Sequence, residues 1–458
     1  MAGFSLEEIL QATGGKALSR GAEHFTGIST DSRTIREGEL FVALKGERFD
    51  GHDFVGEVLK KAAGAVVATR RGVPAAGTVI LVEQTLRALQ DIARSRRNSK
   101  KAKVIGITGT NGKTTTKEML CGIVNNYVRA LCSRGNLNNQ IGLPLNLLRL
   151  EDEGICILEM GASRKGDIRE LCEIALPDYG VITNIGPAHL EGFGSIEAVS
   201  DTKLEMAAFV NVLILNKDDA LLSGALQAMS SEQRKSVLTF GIQAEADVMA
   251  KNVVIPERTG VRAQQTHFDL HIKGAKVTDI SLNLLGTFNI SNALAASAMA
   301  YVLGIPSEVI GRGLAEFQGV AMRLELREMK GAVVISDMYN ANPASMEEAL
   351  KELVRIRGRR AIAVLGDMLE LGSYAEAEHR KLGTSMARMP VDVFIGVGPL
   401  MESTVAEFRS HANGSRKVFL VADSESARKK LREIIEAGDT VLIKGSRGMN
   451  MEKVMEEN

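Results

Sequence analysis

The stretch Val104-Ile-Gly-Ile-Thr-Gly-Thr-Asn-Gly-Lys-Thr-Thr-Thr116 predicts both the fold of the chain and its chemistry. An apolar run typical of a buried strand breaks into Gly109-Thr-Asn-Gly-Lys-Thr114 before helix-forming sequence resumes. Two glycines let backbone N–H groups surround a polyphosphate, Lys113 reaches the outer phosphates, and the Thr114 hydroxyl can ligate Mg²⁺. The strict phosphate-loop pattern requires a glycine five residues before the Gly112-Lys113 pair, and this chain has Ile107 at that position. We therefore predict a nucleotide-binding loop of a shorter type.

Length and composition narrow the class of protein. The 458 residues, 45% of them hydrophobic, are enough for about three domains with buried cores. The 56 basic and 56 acidic residues cancel, so no overall field favours nucleic acid or an anionic membrane. The first residues lack a signal-peptide pattern, and no apolar run approaches ~18 residues. We expect a cytoplasmic protein that neither inserts into a membrane nor binds nucleic acid. A monomer is our expectation, although the sequence leaves the oligomeric state open.

The four cysteines form no metal or redox motif. Cys121, Cys132, Cys156 and Cys172 stand too far apart for a Cys-x-x-Cys site, and most lie within apolar segments. We expect all four to be reduced core residues.

The alternation of strands and helices predicts three α/β domains. Residues 1–84 contain short apolar strands, glycine-rich turns and a helix predicted over 54–63. Residues 85–318 alternate strands and helices from the phosphate loop onward, which predicts a mostly parallel sheet. Between about 247 and 285 the apolar period changes to two, which predicts antiparallel strands appended to that sheet. Residues 319–458 alternate again and predict a second open, Rossmann-like sheet.

Polar residues collect where strands of the third domain end. Asp337 ends one apolar run, Asp367 ends another, and Lys444 ends a third. One aspartate after a strand is more often a turn former or a helix cap, but three polar strand ends in one sheet favour a ligand-facing edge. We predict that this edge closes over the phosphate loop from across a domain gap.

Three residues of the central domain are candidates for metal binding or catalysis. Glu159 ends a strand, where its carboxylate could join Thr114 in holding Mg²⁺, with a salt bridge as the alternative. His189 follows another strand end, although a single histidine is usually structural. Lys203 lies on a predicted helix, and its position alone indicates only a solvated charge.

Several motifs resemble the Mur ligase family in order and spacing, over essentially the whole chain. They are Gly109–Thr114, Glu159-Met-Gly-Ala162, Asn184-Ile-Gly-Pro-Ala-His189, Lys203, Gly286-Thr-Phe-Asn-Ile-Ser-Asn292 and Arg323. These enzymes are ATP-dependent amide-bond formers of peptidoglycan synthesis. Ser29-Thr-Asp-Ser-Arg33 and Leu40-Phe-Val-Ala-Leu-Lys-Gly46, with Asp50-Gly-His52, are similar to the family's uridine-nucleotide domain.

Two motifs of the third domain point to one branch of that family. Asp337-Met-Tyr-Asn-Ala-Asn-Pro343 and Gly366-Asp-Met-Leu-Glu-Leu-Gly372 resemble the branch that joins D-alanyl-D-alanine to UDP-N-acetylmuramoyl-tripeptide. The resemblance implies a UDP-sugar-binding first domain, a central ATP-binding domain, and a third domain that closes on ATP and substrate. It leaves open whether position three of the tripeptide is diaminopimelate or lysine.

The resemblance also implies a role for each candidate residue. The residues that the resemblance implies for ATP binding are Gly109, Thr110, Asn111, Gly112, Lys113, Thr114, Thr115, Asn289, Asn292, Arg323 and Asp337. The residues that it implies for binding the UDP-sugar peptide and the dipeptide are Ser29, Thr30, Asp31, Ser32, Arg33, Lys45, Gly46, Asn138, Asn139, Asn340, Asn342, Lys444 and Ser446. The residues that it implies for holding two Mg²⁺ ions are Thr114, Glu159, His189 and Lys203, the last as a carbamate formed with CO₂. The implied catalytic set is Lys113, Glu159, His189, Lys203 and Arg323.

The implied reaction suits these residue types. A carboxylate is a poor acyl donor, so ATP would first convert the tripeptide carboxylate to an acyl phosphate, which the dipeptide amine would then attack. Two alternatives stay open. One is the branch that adds a diamino acid to a UDP-sugar dipeptide, although the chain lacks an Asp-Asn-Pro-Arg-like segment. The other is a non-catalytic ATP-dependent binding module, which the combination of Glu159, His189 and Lys203 disfavours.

Overall fold

The computed structural model describes residues 3–70, 72–74, 76–255, 265–411 and 416–456. Within these residues, one main sheet forms in each of three consecutive parts of the chain. None of the helices in these ranges is both long enough and apolar enough to cross a membrane.

The first part of the chain forms a small, mostly parallel sheet. The strands of this part of the chain are β1 (Phe4–Ser5), β2 (Lys16–Ser19), β3 (His24–Phe25), β4 (Gly27–Ser29), β5 (Glu39–Val42), β6 (Gly64–Val67) and β7 (Thr78–Leu81), of which β1 and β3 form a separate two-stranded sheet. Its helices are α1 (Leu6–Thr13) and α2 (Val55–Val58), the latter preceded by a 3₁₀ turn at Gly51–Phe54. The strand order is β2-β7-β6-β5-β4, with β2 antiparallel to β7 and the others parallel. β1 pairs with β3.

The helix predicted over 54–63 is shorter than expected, because α2 ends at Val58. Hydrogen bonds of the turn type continue just past α2, since Ala62 N donates to the Val58 carbonyl at 2.8 Å, and bonding to the sheet begins at Ala63. The N–H of Ala63 donates to the Glu39 carbonyl at 3.0 Å, and the Ala63 carbonyl accepts from Thr78 N at 3.2 Å. Backbone groups committed to neighbouring strands cannot also close a helical turn.

The central part forms a sheet in the order β16-β15-β14-β13-β12-β11-β8-β10-β9. The strands are β8 (Lys103–Thr108), β9 (Ala130–Cys132), β10 (Ile155–Glu159), β11 (Tyr179–Ile182), β12 (Val212–Asn216), β13 (Val237–Gly241), β14 (Val248–Val254), β15 (Thr266–Ile272) and β16 (Ala275–Leu282). The helices are α3 (Thr85–Asn98), α4 (Lys113–Asn125), α5 (Gly142–Leu147), α6 (Asp167–Ala175), α7 (Leu190–Phe193), α8 (Ile196–Leu204), α9 (Ala220–Ala228), α10 (Ser231–Arg234), α11 (Thr287–Val302) and α12 (Ser307–Glu316), with a 3₁₀ turn at Glu205–Ala208. β15 is antiparallel to both β14 and β16, as the change of period predicts, and the other pairs are parallel.

The third part forms a sheet in the order β17-β18-β22-β19-β20-β21. The strands are β17 (Glu325–Met329), β18 (Ala332–Asp337), β19 (Ala361–Gly366), β20 (Val393–Val397), β21 (Lys417–Val421) and β22 (Thr440–Lys444). The helices are α13 (Pro343–Arg355), α14 (Ala375–Ala387), α15 (Met401–His411) and α16 (Ser424–Ile434), with 3₁₀ turns at Gly372–Tyr374, Arg447–Met449 and Met451–Val454. β17 is antiparallel to β18, and the remaining pairs are parallel.

Packing attaches the first sheet to the central part through α3. On β5, Leu40 and Val42 face a core that includes Leu89 of α3, whereas Phe41 packs with Val55 on the opposite face. This split follows from the alternation of side chains along a strand. The core of Leu89 continues into residues of α5 and α6, such as Leu143, so α3 lies between the two units.

The expectation of four reduced cysteines is wrong for one pair. Cys121 of α4 and Cys132 of β9 are joined by a disulfide, with their Cα atoms 6.3 Å apart. β9 returns alongside the helix it follows, which brings two cysteines eleven positions apart within bridging distance. Cys156 and Cys172 are free and buried, and burial raises the pKa of each thiol to about 12.

Candidate functional site

The phosphate loop joins the end of β8 to the start of α4 and needs glycine at two positions. Gly109 has φ +145°, and a Cβ there would collide with Thr183 Oγ1. Gly112 has φ +81°, and a Cβ there would collide with Asn292 Oδ1. Positive φ is unfavourable for residues with a side chain, so glycine relieves both strain and crowding. The loop therefore packs closely between β11 and α11.

The residues after β11 hold the loop in place. Asn111 N donates to Asn184 Oδ1 at 2.9 Å, and Thr183 Oγ1 donates to the Asn111 carbonyl at 2.6 Å. Gly186 N donates to Thr110 Oγ1 at 2.9 Å. The sheet register explains this proximity, because β8 and β11 are parallel neighbours whose carboxyl ends meet.

Thr114 and Glu159 lie in direct contact at the end of β10. Thr114 Oγ1 donates to Glu159 Oε2 at 2.8 Å, and Asn138 Nδ2 donates to Glu159 Oε1 at 2.7 Å. The Glu159 side chain has no ion pair within the described residues, so the salt-bridge alternative for it is not observed. Both carboxylate oxygens are instead held by uncharged donors, which orients the group toward the loop.

Two lysines near the loop are desolvated. Lys113 Nζ donates to the carbonyls of Gly109 at 2.8 Å and Thr110 at 3.1 Å. Desolvation lowers the pKa of Lys113, the Glu159 charge raises it, and the Arg323 charge lowers it. Lys203, at the end of α8, is buried, with 3% of its surface exposed. Burial lowers the pKa of Lys203 well below its usual value, and the Lys113 charge lowers it further.

Arg323 links the third domain to the phosphate loop. Its Nη2 donates to Thr114 Oγ1 at 2.9 Å, and its guanidinium lies 4.2 Å from the centre of the Tyr339 ring. Among the described residues, no partner accepts a hydrogen bond from the buried Arg323 Nε. A buried donor without a partner is costly, so this N–H is available to an acceptor that the protein itself does not supply.

His189 contacts the third domain as well. Its Nδ1 lies 2.8 Å from Glu370 Oε2, in the segment that follows β19. The His189 side chain is 34% exposed and lies on the same cavity as Thr114 and Glu159. The hydrogen bond with His189 lowers the pKa of Glu370, against an opposing effect of desolvation.

The polar strand ends of the third domain are mutually bonded. Lys444 Nζ donates to Asp337 Oδ2 at 2.6 Å and to the Asn340 carbonyl at 3.0 Å. Asn342 caps α13 by accepting from Ser345 N at 2.9 Å, and its Nδ2 donates to Asn111 Oδ1 at 2.8 Å. Asn342 therefore contacts the phosphate loop, whereas Asp337, Asn340 and Lys444 line the same cavity, and several of these polar groups already have protein partners.

The remaining predicted residues have mixed surroundings. Asn289 and Asn292 are buried and bonded to each other at 3.2 Å. Asn139 Oδ1 accepts from the N–H of Gly142, the first residue of α5, at 2.9 Å. Ser446 is buried, with its hydroxyl bonded to Leu369 N at 2.9 Å.

One cavity of about 570 Å³ brings most of the predicted residues together. The predicted residues that line it are Thr110, Asn111, Gly112, Lys113, Thr114, Thr115, Asn138, Asn139, Glu159, His189, Asn289, Asn292, Arg323, Asp337, Asn340, Asn342 and Lys444. Those that do not line it are Gly109, Lys203, Ser446 and the first-domain set Ser29, Thr30, Asp31, Ser32, Arg33, Lys45 and Gly46.

The first-domain set lies at its own sheet edge. Ser29 ends β4, and Lys45 and Gly46 follow β5, so both loops leave the carboxyl ends of adjacent parallel strands. Asp31 pairs with the exposed Arg33 at 2.7 Å, and that hydrogen-bonded pair lowers the pKa of Asp31 to about 2. His52 stabilises the edge, since its Nδ1 contacts Asp50 at 2.6 Å.

Sequence reasoning assigned no role to two residues that contact the predicted catalytic set. Tyr339 stacks on Arg323, and Glu370 bonds His189. Both stand inside motifs already quoted, but no local signal distinguishes a residue that reaches across a domain gap from one that turns the chain.

A phosphate loop on a mostly parallel sheet, facing a second Rossmann-like sheet across one cavity, defines a multidomain nucleotide-binding α/β protein. Family models assign the class more closely. The Mur ligase family catalytic domain matches residues 24–97, the Mur ligase middle domain matches 107–300, and the Mur ligase glutamate ligase domain matches 322–447. The chain belongs to the Mur ligase family.

Individual relatives support the same assignment. The UDP-N-acetylmuramoyl-tripeptide--D-alanyl-D-alanine ligase of Bacillus subtilis is 36% identical, over 94% of this chain and 92% of its own length. The crystal structure of MurF from Acinetobacter baumannii superposes with a TM-score of 0.89 at 32% identity, covering 99% of this chain and 98% of that one. MurF ligase from Thermotoga maritima, solved in complex with ADP, gives a TM-score of 0.81 at 31% identity, over 94% and 96% of the two chains. The predicted α/β fold is confirmed, and the diamino-acid and non-catalytic alternatives are not favoured.

Proposed function

We propose that this protein is an ATP-dependent ligase that joins D-alanyl-D-alanine to the C-terminal carboxylate of UDP-N-acetylmuramoyl-tripeptide. The products are UDP-N-acetylmuramoyl-pentapeptide, ADP and phosphate, in the synthesis of peptidoglycan precursors. The observation that carries this proposal is the single cavity lined by the phosphate loop on one side and by third-domain strand ends on the other. The relatives described above, similar over nearly the whole chain, support the substrate pair.

The side chains around the cavity suit transfer of a phosphoryl group followed by attack of an amine. The loop amides and Lys113 would bind the ATP phosphates, and Arg323 would offer its free Nε to the transferred group. The tripeptide carboxylate attacks the γ-phosphorus, which gives an acyl phosphate and ADP. The dipeptide amine then attacks the acyl carbon, loses a proton, and phosphate leaves. Contacts between Arg323, Asn342 and the loop would exclude water from the acyl phosphate.

Thr114 and Glu159 suit a magnesium ion. One hydroxyl and one carboxylate in contact are hard oxygen donors, and Mg²⁺ usually takes one or two carboxylates plus phosphate oxygens and waters. Among the described residues, no group of three or more His, Cys, Asp or Glu could hold a metal alone, which agrees with a site that nucleotide oxygens complete. Bound there, the ion would neutralise charge on the phosphates. His189 would serve a second ion.

We also propose that Lys203 reacts with CO₂ to form a carbamate. The side chain is buried beside the charge of Lys113, and no described residue provides it with a hydrogen bond or an ion pair. Burial and the neighbouring Lys113 charge both favour the neutral amine of Lys203, which is the form that attacks CO₂. The product is an anion, which would support a metal where an ammonium would repel it. If Lys203→Ala kept full activity, or if rigorous removal of CO₂ had no effect, this assignment would be wrong.

The three domains would divide the work. Residues 1–84 would bind the uridine nucleotide through Ser29–Arg33 and the Lys45-Gly46 pair, residues 85–318 would bind ATP, and residues 319–458 would close the site. Asn138, Asn139 and Asn340 would border the peptide, because they line the cavity with the loop. We further propose that the protein works as a cytoplasmic monomer.

Phosphate release tests the activity directly. Purified protein receives ATP, Mg²⁺ and UDP-N-acetylmuramoyl-tripeptide, with D-alanyl-D-alanine added or withheld, and mass spectrometry follows the product. We expect release that depends on the dipeptide, together with UDP-sugar pentapeptide. Release that instead depends on a free diamino acid, with a UDP-sugar dipeptide as acceptor, would contradict the proposal, as would ATP binding without any turnover.

A further inference from the structure

We propose that Glu370 is a positioning residue that holds His189 in the tautomer able to serve a metal ion, and that it does so only when the third domain is docked. The proposal rests on the proposed function, since the ion is the second one, which is assigned to His189 there. It concerns a docking seam, which we define as Met368–Tyr374 of the third domain and His189–Gly194 of the central domain.

The third domain presents Glu370 on a rigid support. Met368 N donates to Nε2 of the fully buried His379 at 3.1 Å, and Leu369 N donates to Ser446 Oγ at 2.9 Å. Asp367, one position earlier, accepts from Met401 N at 2.9 Å. Glu370 itself has φ +63°, a conformation that costs roughly 1–2 kcal/mol for a residue with a side chain. Such strain persists only where surrounding contacts determine the backbone.

The central domain receives the segment at matching points. Glu191 N donates to the Glu370 carbonyl at 3.1 Å, and the Tyr374 hydroxyl donates to the Gly194 carbonyl at 3.1 Å. Between them, Gly372 packs so closely that a Cβ would lie 3.2 Å from the Glu191 Cα. A backbone hydrogen bond at Glu370 and a side-chain hydrogen bond at Tyr374 therefore hold the segment in place independently of the contact between Glu370 and His189.

That carboxylate determines which nitrogen of the histidine carries the proton. Glu370 Oε2 lies 2.8 Å from His189 Nδ1, and an ionised carboxylate only accepts hydrogen bonds, so Nδ1 must donate. In the neutral ring, Nε2 then keeps its lone pair, and no described residue bonds to it. Proteins usually orient a histidine that binds a metal through one ring nitrogen by letting the other ring N–H donate to a carboxylate.

The consequence is a coupling between domain docking and metal affinity. The histidine belongs to the central domain and the carboxylate belongs to the third, so the pair exists only in the docked arrangement. By reciprocity, an ion that binds His189 better when Glu370 is present must also favour docking. Loss of such a second-layer partner typically weakens metal binding 10–100-fold. The pair is partly exposed, so we expect about tenfold.

Two substitutions and one matched control test the proposal. Glu370→Gln keeps the shape but can bond either tautomer, and Glu370→Ala removes the partner. The control is Glu376→Gln on α14, an exposed carboxylate of the same domain whose partner, Arg380, lies on its own helix at 3.0 Å. Binding of Mn²⁺, used as a paramagnetic substitute for Mg²⁺, is measured by electron paramagnetic resonance with ADP present. We expect one Mn²⁺ to bind about tenfold more weakly in both Glu370 variants and normally in the control.

A spectroscopic measurement follows the tautomer itself. In metal-free protein labelled with ¹⁵N-histidine, His189 should give the signals of a proton on Nδ1, and Glu370→Gln should shift them toward a mixture. Excess Mg²⁺ should restore the turnover number of Glu370→Gln while the KM for ATP stays within about twofold, because the lost interaction concerns the metal.

Specific results would overturn the proposal. If Glu370→Gln altered small-angle scattering but left Mn²⁺ affinity and the histidine signals unchanged, Glu370 would serve docking alone. Equal loss of Mn²⁺ binding in the Glu376→Gln control would also count against it. Failure of the proposed function has a different signature. The Glu370 variants would still bind Mn²⁺ more weakly than wild type, but the wild-type protein would show no phosphate release that depends on the dipeptide.

Discussion

Substitution of Gly112 by alanine tests whether the phosphate loop depends on crowding by α11 in addition to backbone strain. At φ +81°, an alanine costs about 1–2 kcal/mol. Its Cβ would also collide with Asn292 Oδ1, which accepts from Thr116 Oγ1, and Asn292 Nδ2 donates to Asn289. Displacing Asn292 would lose both bonds, at about 0.5–1 kcal/mol each. The sum is about 3 kcal/mol. The free loop of the variant avoids this cost by leaving its binding conformation, so ADP must restore that conformation, and its dissociation constant should rise by up to roughly 100-fold.

The chain offers a matched control for the strain alone. Gly166 has φ +85°, and a Cβ there would meet no atom within 4 Å. We expect Gly166→Ala to lose about 1–2 kcal/mol of stability with unchanged ADP affinity, because its backbone strain lies outside the cavity that Gly112 lines. Titration calorimetry with ADP and thermal unfolding of both variants provide the comparison.

A double-mutant cycle isolates the collision. Each single variant, Gly112→Ala and Asn292→Ala, loses the two hydrogen bonds of Asn292. The double variant loses the same two bonds and has no collision, so its loss of free energy should be about 1–2 kcal/mol smaller than the sum of the two single losses. Equal ADP affinities for Gly112→Ala and Gly166→Ala, or strict additivity in the cycle, would refute the reasoning.

Three further outcomes are expected. Arg323→Lys keeps the charge but cannot both stack and bond Thr114, so kcat/KM should fall roughly 10–100-fold in the phosphate-release assay; a change within twofold would exclude this role. Lys444→Met leaves Asp337 without its buried partner and should lower the free energy of unfolding by about 3 kcal/mol, measured by thermal unfolding. The double variant Lys444→Met with Asp337→Asn should lose less than the single variant, and the reverse order would contradict the pairing. Burial lowers the pKa of His379, so below about pH 6.5 the unfolded chain takes up a proton that the folded ring refuses. Stability should therefore fall from pH 7 toward pH 5, and His379→Gln should flatten that dependence in thermal scans; an equally steep fall in the variant would exclude His379 as its source.

Much of the candidate site follows from sequence because its parts are local. Gly109–Thr114 combines a strand, two glycines and a helix start within a few positions, so its geometry depends on short-range rules. Glu159 and Asp337 were identifiable because polar residues that end buried strands must emerge at one edge. The predicted helix over 54–63 was too long because the sheet, and not helix propensity, decides where Ala63 bonds.

Other features depend on how separate units pack. Cys121 and Cys132 meet because β9 returns along α4, and spacing alone gave no sign of it. Lys203 reads as a surface charge until α8 packs it beneath the site. Tyr339 and Glu370 act on residues far away in the chain, so no local pattern marks them.

Sequence alone determined the phosphate loop, the order of strands and helices, and the family, because turn chemistry and the period of apolar residues are set by near neighbours in the chain. Tertiary structure decided which partners those residues meet: Arg323 against Thr114, Asn342 against Asn111, and Glu370 against His189. Each of these pairs joins the part of the chain that forms the central sheet to the part that forms the third sheet. Their contacts depend on the relative placement of rigid units, which short-range sequence rules do not encode.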